Sequence, residues 1–141
     1  FHVTNTDAVI TLNDVKIVNE DSEKILLSVC ADGWSGGKNI ATLKASKQTL
    51  AGAVKVGNDS TLNLELSDGS SLEGSVDGKI NNAKGETVST EVGTVSVTLD
   101  STSTWTLSAD SYVTSFNGDA ANVTANGHTL YVNGVALTGT K

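Results

Sequence analysis

"DSTLNLELSDGSSLEGSV", residues 59–76, carries the pattern on which the fold turns. Leu62, Leu64 and Leu66 fall on alternate positions, Asp68-Gly69 interrupts them, and Leu72 opens a second short alternation. A period of two is the signature of a strand with one buried face, and Asp-Gly is turn chemistry. Much of this line recurs. "DSTSTWTLSADSYVTSF", residues 100–116, aligns with it at an offset of 41, pairing Asp59 with Asp100, Leu64 with Trp105, Leu66 with Leu107 and Leu72 with Val113. "TLAGAV" (49–54) matches "SLEGSV" (71–76) at an offset of 22, each reading small-Leu-x-Gly-x-Val. Together the offsets predict a unit of about 20 to 22 residues, with the 41 spacing spanning two units.

Short alternating strands separated by turns suit a β-sandwich or a β-solenoid. A sandwich has no reason to repeat at one coil length. In a solenoid, equivalent positions stack ~4.8 Å apart on successive coils and meet the same surroundings, so similar residues recur. The expectation is therefore an all-β, right-handed parallel β-helix of about six coils, with a β-sandwich as the alternative. One domain spans residues 1–141, with coils over 1–120 and a capping segment over 121–141. Two stretches break the period and read as insertions, the Gly-rich residues 31–39 and the polar residues 77–93. In the C-terminal segment, Asn133-Gly134 between two alternating runs predicts a type I′ hairpin that caps the solenoid. The N-terminal end shows no such device, so either coils precede it in a longer protein or it meets another molecule.

Composition agrees. The chain is rich in Val, Thr, Ser, Gly, Asn and Asp, lacks Pro, Met and Arg, and carries a net charge of −7. β-Branched residues suit a pleated surface, and Gly, Asn and Asp suit tight turns. A phosphate backbone is held by clustered Lys and Arg, so nucleic acid is not an expected partner. No apolar run of ~20 residues exists to insert into a membrane as a helix. Cys30 is the single cysteine, follows the apolar run Ile25-Leu26-Leu27, and is expected to be a buried small hydrophobe.

Catalytic and metal motifs are not found, and no catalytic residue is assigned. His2 and His128 lack metal-ligand spacing, and the near phosphate loop "DGWSGGKN" has Asp32 and Asn39 where Gly and Ser/Thr are required. No cofactor is expected. Calcium, which needs 6 to 8 oxygens, is the one metal the Asp-Gly turns could serve, although no calcium-loop spacing appears. Trp105 alternates in step with Leu107 and belongs in the core. Trp34 differs, because Gly and Ser surround it in the first insertion. It is the candidate ligand platform, with Asp32, Lys38 and Asn39 beside it; folding back over a solenoid edge is the alternative.

The stretches "FHVTNTDAVITLNDVKIVN", "GWSGG" and "WTLSADSYVTSFNGDAANVTANGHTLYVNG" resemble bacterial secreted and cell-surface proteins of the right-handed β-helix class, described as carbohydrate-binding-domain or adhesin-like and sharing the pectate-lyase-like fold. The resemblance covers most of the chain, residues 105–134 most specifically. It implies an extracellular or cell-surface setting and a non-catalytic module for adhesion or polysaccharide binding. The alternative is a structural module that stacks on another copy of itself through an exposed β-helix end. A weak or degenerate polysaccharide lyase is a minor alternative, since lyases on this fold typically abstract a proton with Arg or Lys, and Arg is missing here.

Overall fold

In the computed structural model, which describes residues 1–31, 37–82 and 84–141, the alternating segments wind as successive coils. The first coil holds β1 (His2–Val3) and β2 (Thr6–Asn13) and returns through residues 14–24 without a strand. The second holds β3 (Ile25–Val29), β4 (Asn39–Ser46) and β5 (Thr49–Ala51); the third holds β6 (Ala53–Val56), β7 (Thr61–Ser67) and β8 (Ser71–Gly74). The fourth opens with β9 (Val76–Asp77), detours through β10 (Ile80–Asn81) and β11 (Thr87–Ser89), and resumes with β12 (Thr94–Leu99) and β13 (Thr104–Leu107). The fifth holds β14 (Ser111–Val113), β15 (Ser115–Asn117), a 3-10 turn at Ala120–Asn122 and β16 (Val123–Thr124); β17 (Leu130–Val132) and β18 (Val135–Ala136) close the chain.

Stacking the coils produces three faces around one core. The first face runs β1-β3-β6-β9 and continues beside it as β14-β17-β18; the second runs β2-β4-β7-β12-β15; the third runs β5-β8-β13-β16. Among the described residues every pairing between coils is parallel, and only the hairpins β10–β11 and β17–β18 are antiparallel. The parallel β-helix expectation is met and the sandwich alternative is set aside. No α-helix occurs among the described residues.

Register explains the repetition of apolar residues. Inward columns form from Leu43, Leu64, Val97 and Phe116 on the second face, and from Leu50, Leu72, Trp105 and Val123 on the third. These belong to one contiguous apolar cluster, in which Trp105 is wholly buried and Phe116 packs from its margin. Burying each Val or Leu contributes ~1.5–3 kcal/mol, so the columns supply most of the driving force. The Trp105 Nε1 donates to the Gly74 carbonyl at 2.9 Å, satisfying the polar end of the ring.

The 22-residue unit is correct: Leu50 lies beside Leu72 and Val54 beside Val76. The 41-residue alignment is not. Leu64 pairs with Val97, 33 residues on, and Trp105 stacks on Leu72 of the third face rather than filling the slot of Leu64. The offset of 41 adds one face of eight residues to one lengthened coil. Residues 59–76 and 100–116 are therefore one coil and one face apart, not two coils.

Side chains complete the ladder where strands are missing. The first coil has no third-face strand, and there the buried Gln48 accepts from the Val15 N–H through Oε1 (2.6 Å) and donates to the Val15 carbonyl through Nε2 (2.9 Å). On the first face Ser111 Oγ receives the Val76 N–H at 3.0 Å, so a hydroxyl joins β9 to β14. Thr114 Oγ1 both accepts from the Val95 N–H (2.9 Å) and donates to its carbonyl (2.7 Å). Ser70, Ser103 and Ser111 are buried, whereas Ser101, Thr102, Thr104, Ser108 and Thr114 are exposed. Turns behave as expected at Asn133-Gly134 (φ 49° and 81°), where left-handed backbone permits the type I′ hairpin β17–β18. The tail then returns to the third face, where Lys141 N donates to Val123 O and Lys141 O accepts from Ala125 N.

Candidate functional site

The outer surface of the first face carries two concave features, and further recesses of about 330 and 320 Å³ lie beside Thr49 and Gly52 and over Lys44, Glu65 and Thr98. Because side chains alternate, Val3, Val29, Val54 and Val76 point inward, whereas His2, Ser28, Lys55 and Asp77 form an outward column, each beside the next. Tyr112 and Tyr131 extend the outward side in the next two coils. Lys55 Nζ holds Asp77 with two bonds of 2.8 and 2.9 Å, and this ion pair is only partly open to solvent.

The detour in the fourth coil shapes this surface. Pairing between successive coils jumps from an offset of 22 at Val54–Val76 to 33 at Leu62–Val95, so eleven residues are extra. They form the β10–β11 hairpin, whose tip is fixed by Asn82 Oδ1 accepting from the Lys84 and Glu86 N–H groups, both at 3.0 Å. Within the hairpin Ile80 is buried and Val88 is 46% exposed. Between this hairpin, Phe1 and the turn around Asn19 and Asp21 lies a groove of about 940 Å³. Ile25, Ile80, Val88 and Ala31 give it apolar walls. Its polar groups already brace the loops: Asn19 Nδ2 donates to the Ile25 carbonyl, and Asp21 Oδ2 accepts from the Ile25 N–H.

On the other side of the hairpin base, a smaller pocket of about 350 Å³ is lined by Asp77, Lys79, Thr90, Glu91 and Tyr112. Its base is closed by backbone packing. A Cβ added at Gly78 would fall 2.0 Å from the Glu91 carbonyl carbon, so only glycine lets the two arms of the insertion touch.

The residues singled out from sequence are distributed differently. Asp32 and Trp34 lie outside the described residues. Lys38 is exposed, and Asn39 Oδ1 accepts the Asn5 N–H at 2.7 Å, bracing the start of β4; neither borders the two cavities. Cys30 is buried, as expected. Tyr112 was missed, although "YV" at 112–113 and again at 131–132, one coil apart, was a readable signal.

Asp59 and Asp100 are not equivalent positions, since Asp59 precedes β7 and Asp100 follows β12. Asp100 has a structural task. Its carboxylate accepts from the Asp68 N–H at 2.9 Å and from the Thr102 N–H and hydroxyl at 3.0 and 2.8 Å. These bonds, that from Asp68 foremost, lower its pKa to about 2. No cluster of three or more His, Cys, Asp or Glu poised for a metal occurs among the described residues. No helix among them is long and apolar enough to cross a membrane. Compared with models of protein families, with curated proteins and with solved structures, the chain matches none.

Proposed function

We propose that the chain is a non-catalytic binding module of the cell exterior, a parallel β-solenoid whose first face engages polysaccharide in adhesion. The observation that carries this reading is the groove of about 940 Å³, held open by an inserted hairpin on an otherwise regular surface. A ligand site on rigid strands with a protruding wall is the usual arrangement for recognition, and concave sites of this size suit an extended ligand. The setting outside a bacterial cell rests on the resemblance alone. A glycan array is the test, run with wild type and with a variant joining Gly78 to Thr90, which removes the hairpin. Binding by wild type and its loss in the variant support the reading; no binding to any glycan by wild type overturns it.

A second reading is favoured by one observation. β2 has eight residues, pairs only with β4, and leaves Val9 65% exposed and Ile10 half-buried. A long open edge is a template for another strand, so two copies joined through β2 form a structural unit. Light scattering over a concentration series tests this. Association abolished by Val9→Lys supports it, and a monomer at the highest concentration removes it.

A further inference from the structure

The small pocket behind the hairpin has a composition that the larger groove lacks. Tyr112 stacks on Tyr131 of the next coil, with ring centroids 5.2 Å apart and planes within 8°. Tyr131 covers one face of the Tyr112 ring. The opposite face turns toward β9, the strand joined to β14 through Ser111, and there the pocket opens. With Tyr112 40% exposed, a flat aromatic surface is available to a ligand.

The polar groups around that surface balance. Asp77 is neutralised by Lys55, leaving Glu91 as an acceptor, Lys79 as a donor and the Thr90 hydroxyl as either. One negative and one positive side chain beside an aromatic face suit an uncharged ring that carries hydroxyls on its edge and C–H groups on its face. A ligand carboxylate would bring further negative charge to a molecule already at −7. About 350 Å³ lies near the lower end of ligand-pocket sizes, enough for one ring and too little for a chain. The Gly78 contact fixes the wall of the pocket at the hairpin base, so little ordering of that wall opposes binding.

We infer that this pocket takes one uncharged pyranose unit of a glycan, stacked on the free face of Tyr112 and hydrogen-bonded by Glu91 and Lys79. The inference rests on the reading of the module as a polysaccharide binder and assigns it a ligand class, neutral rather than acidic. Calorimetry with soluble β-glucan, mannan, galactan, xylan and polygalacturonate tests it, using wild type, Tyr112→Phe, Tyr112→Ala and Glu91→Gln. The expected result is binding of a neutral glycan by wild type and Tyr112→Phe, weakened on the order of tenfold in Tyr112→Ala and in Glu91→Gln. Thermal unfolding of each variant checks that the coil is intact. Wild type binding polygalacturonate alone overturns the inference and leaves the module a polysaccharide binder. Undiminished neutral binding in both Tyr112→Ala and Glu91→Gln does the same. Binding of nothing overturns both.

Discussion

Trp105 shows how one side chain serves both packing and polarity. Its ring fills the third-face column between Leu72 and Val123, and its indole N–H satisfies a buried carbonyl. Trp105→Ala leaves a cavity and takes from the Gly74 carbonyl the shorter of its two hydrogen bonds, the Ser108 N–H at 3.3 Å remaining, so we expect a loss of ~3–5 kcal/mol in denaturant unfolding. Asp100 acts through charge. Its folded pKa of about 2 lies below the ordinary carboxylate value, so its contribution is complete above pH ~4 and is lost as pH falls through about 2. Asp100→Asn should therefore remove part of the acid sensitivity in that window, measured by the unfolding midpoint between pH 5 and 2. Wild-type carboxyl NMR should place the titration near 2; a midpoint near 4 would contradict the bonds to Asp68 and Thr102.

At the level of elements, the β10–β11 hairpin adds to a coil without altering the ladder on either side. Val76 still meets Val54 before it, and Val95 still meets Leu62 after it. Joining Gly78 to Thr90 should leave cooperative unfolding, with the melting temperature within a few degrees of wild type, because few core residues depart; Ile80 is the main loss. A collapse of the fold would show that the hairpin braces the coil. Much of this architecture was legible. Coils of equal length repeat visibly, as 49–54 and 71–76 do, since equal spacing places like residues in like surroundings. The offset of 41 misled because all three faces share the same alternation and similar Ser/Thr-rich corners, so a strand on one face aligns well with a strand on another. The insertion at 77–93 was readable as excess length, but the groove was not, since an overhang depends on which face the hairpin crosses. Buried serines escaped notice for a related reason. Alternation marks apolar partners, whereas Ser70 and Ser111 are defined by backbone groups left unpaired at corners and between sheets.

Taken whole, the molecule is a stack in which each coil contacts mainly its neighbours, so its cohesion is set by the interfaces between coils. Coils two to four are joined by backbone ladders on all three faces, whereas the first coil is laddered to the second on two. Between the fourth and fifth coils the second and third faces remain laddered through β12–β15 and β13–β16, while the first face is joined through the Ser111 hydroxyl. Ser111→Ala strands the Val76 N–H in a buried site, and we expect a cost of ~1–3 kcal/mol together with faster amide exchange at Val76. Exchange unchanged from wild type would show that this hydroxyl is dispensable. A stack firmly bonded along two sides and lightly along the third has a preferred direction of bending. That seam passes between Asp77 and Tyr112, so the softest mode of the rod is also the one that would widen or narrow a recess at its surface.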